Sequence, residues 1–343
     1  MNQKSIIGCN IKIAKENLEK GNLVAIPTET VYGLAANAFD IKAVAKIFEA
    51  KNRPTFDPLI VHTDNIDKIK SWTTDFPSWA EELGKQFWAG ALTLLLPRKS
   101  IIPDLVTSGL PHVAVRIPNH GLTLELLKSL DFPLAAPSAN PFGYISPTTA
   151  NHVFEQLGKK VNYILDGGSC KIGVESTIVG EENGQLTVFR KGGIAIEELE
   201  KVIGKLIVKE HSNSNPHSDK AQDKNKKEEI TKVASSGMLL SHYAPKIKMR
   251  LGNIEQMLKE YEASKELEIN EVGILSFNKK YKQIPLKNQF ILSEEGSFSE
   301  AAQNLFSYMR ELDKLNIKII LAELLPEKEL GRAINDRLRR AAY

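Results

Sequence analysis

Short apolar runs that end in proline, glycine or hydroxyl residues alternate with stretches of helical period along most of this chain. "LVAIPT" (residues 23–28) reads as a strand. "IKAVAKIFEAK" then sets Ile41, Val44, Ile47 and Phe48 on one side of a helix that Pro54 stops. "PLIVH", "LTLLLP", the alternating "HVAVRIP", "FPLAAP", "YILDGG", "STIVG" and "LTVFRKGG" continue the series. A second series follows: the strand "EVGILSF", a helix within "SEEGSFSEAAQNLFSYMRELDKL", the strand "KIILAEL" and a closing helix "GRAINDRLRRAA". Such interleaving argues for mixed α/β sheets over bundles or sandwiches.

A change of composition separates the two series. Residues 209–232 read "KEHSNSNPHSDKAQDKNKKEEITK", in which Ile230 is the one large aliphatic residue. That segment buries too little apolar surface to offset its ordering entropy, and it reads as a linker. A basic RNA-binding tail is the other reading, though its lysines alternate with acids and no aromatic residue is interleaved. A chain of 343 residues is long enough for two domains with their own cores. The expected division is a first domain over 1–208, a linker over 209–247 and a second domain over 248–343.

Charge and cysteine content exclude several classes. A net charge of +3 does not by itself mark a nucleic-acid binder. Cys9 and Cys170 provide neither zinc spacing nor a disulfide framework, which suits a reducing cytosol. The N-terminus has no apolar core or small-residue cleavage site, and "LTLLLP" is far shorter than the ~20 residues that span a bilayer. A cytoplasmic protein with no membrane partner is expected.

Polar chemistry gathers where the apolar runs end. "PTETVYG" brings Thr28, Glu29, Thr30 and Tyr32 after the first strand. In "KNRPTFDPLIVH", Lys51 and Arg53 lie two apart where Pro54 favours extended backbone, which would place both cations on one side. They serve either a ligand or the negative end of the preceding helix, the latter worth about 0.3–1 kcal/mol. His62 is either a site residue or a satisfied core histidine. Arg116, Ser138 and Asn140 in "PSAN", Ser146 and Thr148 in "SPTT", Ser176, Thr177 and Arg190 complete the pattern. Ligands of open α/β sheets bind outside the strand ends, and arginines there are costly to bury unless a carboxylate or phosphate pairs with them.

Absent motifs narrow the chemistry. There is no G-x-x-x-x-G-K-[ST] phosphate loop, no G-x-G-x-x-G after a strand, no G-x-S-x-G around Ser138 and no His-Glu-x-x-His. A phosphate site here must use scattered cations and hydroxyls.

Together, "PTETVYGLAANA", "KNRPTFDPLIVH", "VAVRIP", "AAPSANPFGYISPT" and "GVESTIV" resemble the YrdC/Sua5 family of L-threonylcarbamoyladenylate synthases, in order and spacing, over roughly the first 200 residues. "SSGMLLSHYAP" and "GRAINDRLRRAA" resemble the longer Sua5 form. The resemblance implies an α/β fold: an N-terminal YrdC-like twisted mixed sheet with helices, then a smaller C-terminal α/β, Rossmann-like Sua5 domain. It implies a nucleotidyltransferase that makes threonylcarbamoyl-AMP and pyrophosphate from L-threonine, bicarbonate or CO2, and ATP. Other proteins then transfer the threonylcarbamoyl group to an adenosine beside the anticodon of certain tRNAs.

Carried over by position, the family pattern places threonine against Thr30, His62, Arg116, the backbone at Ala136, and Ser176. ATP would contact Lys51, Arg53, Asp57, His112, Ser138, Asn140, Ser146 and Arg190, with Tyr243 of "HYAP" covering the site. Lys51 and Arg53 would supply the charge stabilisation of catalysis. Mg2+ is expected with ATP, held largely by phosphate oxygens and water. Four positions depart from the pattern: Asp57 stands where Asn is common, a carboxylate that either binds Mg2+ or lies aside, His112 where Thr is frequent, and Ala89 and Ala91 where prolines are usual. A structured-RNA-binding module without ATP turnover is the alternative. A carbamoyl-adenylate enzyme with another acceptor, as in hydrogenase maturation, would need zinc-finger and acylphosphatase modules that this chain lacks.

Overall fold

The computed structural model describes residues 6–209, 242–264 and 266–343. Nearly all of the expected linker, and the "SSGMLLS" part of the motif that follows it, lie outside the described residues.

The first series of strands forms one mixed sheet of eleven strands. In chain order these are β1 (Ile7–Gly8), β2 (Val24–Ile26), β3 (Gly33–Asn37), β4 (Ile60–His62), β5 (Leu92–Pro97) and β6 (His112–Arg116). Then come β7 (Leu134–Ala135), β8 (Tyr163–Leu165), β9 (Thr177–Glu182), β10 (Gln185–Arg190) and β11 (Ile207–Val208). Their spatial order is β1-β8-β2-β3-β7-β4-β6-β5-β9-β10-β11. β3 and β7 run antiparallel to their neighbours at the centre, while β4 and β6 are parallel. Because β11 still pairs with β10, the first sheet extends to Val208.

Local chemistry sets the helix ends. Asp40 caps the helix Ile41–Lys51 by accepting from the amides of Lys42 and Ala43 at 2.9 and 3.3 Å. Asn52 terminates it in the left-handed region, at φ 52°. Lys51 is therefore helical, and the extended Lys51–Arg53 backbone expected from Pro54 does not form.

The second series forms a smaller sheet of β12 (Met249–Leu251), β13 (Val272–Ser276), β14 (Gln289–Ile291) and β15 (Ile319–Ala322). Its order is β12-β15-β13-β14, and every pairing is parallel. The helices Ile254–Ser264, Phe298–Asp313 and Gly331–Ala341 accompany it, as the Rossmann-like expectation requires.

The two halves share apolar packing. Val31, Ile145 and Val174 of the first half are buried in one cluster with Tyr243, Leu305, Phe306, Ile334 and Leu338 of the second. Removing each such aliphatic side chain from water contributes roughly 1.5–3 kcal/mol. Gly173, at φ 82°, lets the chain meet the helix Phe298–Asp313 closely, since a Cβ there would lie 2.4 Å from the Ala302 carbonyl oxygen.

Candidate active site

Thr30, Arg53, His62, Arg116, Ala136, Ser138, Ser176, Arg190 and Tyr243 line a single cavity, although they are spread over more than 200 residues of sequence. The sheet explains their convergence. In the parallel register of β4 and β6, His62 stands opposite Arg116 at matching strand ends. Thr28 shapes the loop after β2: its hydroxyl donates to the Val31 carbonyl at 2.6 Å and lies 2.8 Å from that of Thr30. Behind β10, Gly192 passes so close to the 175–177 segment that a Cβ would lie 2.3 Å from the Ser176 carbonyl carbon. Any larger residue would push Ser176 out of place.

The buried cations are held by internal partners. Arg116 Nη2 pairs with Glu29 at 2.8 Å, and its Nε donates to the Gly90 carbonyl at 3.2 Å. Glu29 itself comes from "PTET", so the chain supplies the carboxylate that a buried arginine needs. Arg53 pairs with Asp57 at 2.8 Å, with both side chains almost fully enclosed. Burial pushes Asp57 up and Arg53 down, each against the attraction of its partner. Arg190 donates through Nε to the Ser176 carbonyl and through Nη2 to the Ser176 hydroxyl, both at 3.0 Å. Burial lowers its pKa to about 10. His62 is pushed down to about 3, first by burial and then by Arg116, so its imidazole is neutral at physiological pH. Its Nδ1 lies 3.2 Å from the Ile60 carbonyl.

Other expected residues act one layer back. Lys51 is buried, which together with Arg53 holds its amine well below the usual lysine pKa, and its Nζ donates to the Ser138 carbonyl at 2.5 Å and to the Asn140 carbonyl. It therefore braces the "PSAN" loop, while Arg53 pairs with Asp57 and lies over the Phe142 ring at 6.0 Å. Asn140 spends its side-chain amide on the carbonyls of Pro141 and Tyr144, at 3.0 and 2.7 Å. Ser146 donates to Glu175 at 2.6 Å. Part of the hydroxyl- and amide-rich run is thus loop architecture, and part faces the cavity. His112 is not brought to this cavity: it begins β6, about 13 Å along the strand from Arg116 at its other end.

Two residues that sequence reasoning left out of the site, Glu175 and Arg337, belong to its surroundings, together with His242 of the segment expected to cover it. Glu175 lines the cavity. Arg337, from the closing helix of the second half, is completely buried and pairs with Glu175 at 2.9 Å. His242 also lines the cavity, beside Tyr243, with ring centroids 4.1 Å apart. Tyr243 is 1% exposed and takes the left-handed region at φ 64°. It stacks on Phe306 at 5.4 Å and lies under the Arg337 guanidinium at 5.2 Å. Backbone contact fixes this segment too, because the Ala244 amide donates to the Gly143 carbonyl at 2.9 Å. The arginine-rich "DRLRRAA" was the available signal for Arg337, but nothing local says which arginine turns inward.

Comparison with known proteins agrees with this architecture. The model of the Sua5/YciO/YrdC family, described as telomere recombination, matches residues 16–192. A second model, described as the threonylcarbamoyl-AMP synthase C-terminal domain, matches residues 194–343. The threonylcarbamoyl-AMP synthase of Pyrococcus abyssi is 38% identical over 337 residues, covering 97% of this chain and 94% of that protein. The one from Bacillus subtilis is 37% identical, covering 95% of this chain and 90% of its own. A crystal structure of P. abyssi Sua5 complexed with L-threonine superposes with a TM-score of 0.84 at 37% identity, over 97% of this chain and 94% of that one. By sequence, by fold and by the presence of both halves, the chain belongs to the Sua5/YciO/YrdC family, in the form that carries the Sua5 C-terminal domain.

Proposed function

We propose that this chain is a threonylcarbamoyl-AMP synthase, a nucleotidyltransferase that joins L-threonine, bicarbonate or CO2, and ATP, and that works in the cytoplasm ahead of tRNA modification. The observation that carries the reading is the single cavity where strand-end hydroxyls and guanidinium groups meet, in a chain matched along its length by proteins of that name.

The chemistry needs placement and charge more than a protein nucleophile. The neutral threonine amine adds to the carbon of CO2, one C=O bond opens to a carboxylate oxygen and an N–H proton is released to solvent, giving a carbamate. A carbamate oxygen then attacks the α-phosphorus, the bond from that phosphorus to the bridging oxygen breaks, and pyrophosphate leaves. Thr30, neutral His62, Arg116, the backbone at Ala136, and Ser176 would hold threonine, with its carboxylate sharing the Arg116 guanidinium with Glu29. Arg53 and Arg190, preorganised by Asp57 and Ser176, would face the charge that develops on the phosphates. Ser138 and Tyr243 would bound the nucleotide, with Lys51, Asn140 and Ser146 fixing the loop between them.

Among the described residues no three His, Cys, Asp or Glu side chains cluster as a metal site; Asp57 Oδ2 pairs with Arg53, while its buried Oδ1 has no hydrogen-bond partner and is the one carboxylate oxygen here suited to a metal beside phosphates. Magnesium would therefore arrive with ATP on phosphate oxygens, where it neutralises phosphate charge. Transfer of the threonylcarbamoyl group to tRNA would fall to other proteins. No helix among the described residues is long and apolar enough to cross a membrane. The free cysteines Cys9 and Cys170 are consistent with a reducing compartment.

The test is direct. Purified protein, ATP, bicarbonate and isotope-labelled threonine should yield a labelled adduct with the mass of threonylcarbamoyl-AMP, together with pyrophosphate. Salt-sensitive RNA binding with no adduct would replace this reading with the RNA-binding one.

A further inference from the structure

Glu175 is a carboxylate placed where polyanionic ATP is proposed to bind. It is 6% exposed, and its two oxygens are taken by the Ser146 hydroxyl at 2.6 Å and Arg337 Nε at 2.9 Å. Arg337 reaches a second point of the first sheet, since its Nη1 donates to the Lys191 carbonyl at 2.8 Å. These anchor points adjoin two cavity residues in sequence: Glu175 precedes Ser176, and Lys191 follows Arg190. Ser176 and Arg190 are themselves hydrogen-bonded to each other. One guanidinium therefore brackets the pair from behind, and it also lies over the face of Tyr243. Asp336 accepts from the same Nη1 at 2.8 Å, which fixes the approach from the helix side.

We propose that Arg337 is a positioning residue of the active site: it cancels the charge of Glu175 and clamps the Ser176–Arg190 pair, so the second domain completes the ATP site. Without Arg337, a buried carboxylate would face the incoming phosphates, and the 175–176 and 190–191 segments would lose their common anchor. Uncompensated buried charge is more damaging than a missing neutral contact. Burial alone would raise the Glu175 carboxyl, but Arg337, then Arg190 and the Ser146 hydroxyl, hold it below the ordinary carboxylate value. Lys51 and Tyr243 are the other titratable groups coupled to Glu175.

This inference rests on the cavity being the ATP site, and the experiment separates the two. Pyrophosphate release by the full chain is measured against ATP concentration for wild type, Arg337→Met, Arg337→Lys, Glu175→Gln and the double variant Arg337→Met/Glu175→Gln. Arg337→Met should raise the KM for ATP tenfold or more, and the defect should shrink as pH falls and Glu175 takes up a proton. Adding Glu175→Gln should recover at least threefold of that loss, because the charge that needed cancelling is gone, and the remaining defect, from the lost anchor, should not vary with pH. Arg337→Lys should stay closer to wild type and show no such pH dependence. If Arg337→Met does not fold, Glu175→Gln alone decides: its KM for ATP should fall, and a tenfold rise would overturn the proposal. Failure of the double variant to recover, with a pH profile parallel to wild type, would leave Arg337 as packing only. No turnover by wild type would instead defeat the proposed activity.

Discussion

Replacing Lys51 by Met keeps the aliphatic stem in place and removes one ammonium from behind the "PSAN" loop. In the intact protein that ammonium donates to the carbonyls of Ser138 and Asn140. Leaving a buried acceptor without its donor costs roughly 1–3 kcal/mol. Two carbonyls lose their donor together, while the cost of burying the charge disappears, so a net loss of about 2–4 kcal/mol is expected. At roughly 2–4 °C per kcal/mol for a chain somewhat smaller than this one, Tm should fall by about 4–16 °C. The loop should also drift, carrying Ser138 with it, and a misplacement of about 1 Å can cost 100-fold in rate. Pyrophosphate release should therefore drop by about that factor even where the variant is fully folded. Thermal unfolding followed by dichroism, and a coupled pyrophosphate assay well below Tm, measure the two effects separately. The competing role, complementing the negative end of the helix Ile41–Lys51, predicts a loss of only about 0.3–1 kcal/mol and full turnover. That result would refute the bracing argument.

His62 gives a pH dependence of definite sign. Its pKa falls from 6.5 to about 3 on folding, chiefly through burial, so the unfolded chain binds the proton more tightly and stability declines as pH drops from 6.5 toward 3. The full effect is on the order of 5 kcal/mol, and His62→Gln should flatten the acid limb of urea-unfolding free energies; profiles that stay parallel would contradict it. The two thiols should separate cleanly. Cys9 is exposed, whereas Cys170 is buried and burial pushes its thiol up to about 12, so native protein should react with one equivalent of a thiol reagent and denatured protein with two.

How much of this was legible in the sequence depends on the range of each interaction. Strand ends could be read because an apolar run followed by Thr, Ser or Arg is a local pattern, and "IKAVAKIFEAK" matches its helix residue for residue. β3 was missed at the centre of the sheet because "GLAAN" is built from glycine and alanine, which carry little strand preference of their own. The partners of the buried cations could not be read. Glu29 and Arg116 are separated by 87 residues, and Glu175 and Arg337 by 162. Asp57 is only four residues from Arg53, but the left-handed Asn52 and Pro54 between helix and strand leave no regular spacing from which that local pair could be read. His112 was placed at the site by motif position, whereas strand direction puts it at the far end of β6. Lys51 shows the opposite limit: its identity was conspicuous, but its helical backbone turns it onto the carbonyls of Ser138 and Asn140, 87 and 89 residues away.

The apolar cluster shared by the two halves has a consequence for how the chain is made. Val31, Ile145 and Val174 leave the ribosome with the first half, but the side chains that cover them, such as Phe306 and Leu338, are translated later. At roughly 5–20 residues per second the second half takes on the order of ten seconds to emerge. During that interval the newborn first sheet carries an uncovered greasy patch beside its future substrate cavity, and the patch is sealed only when the final helix docks.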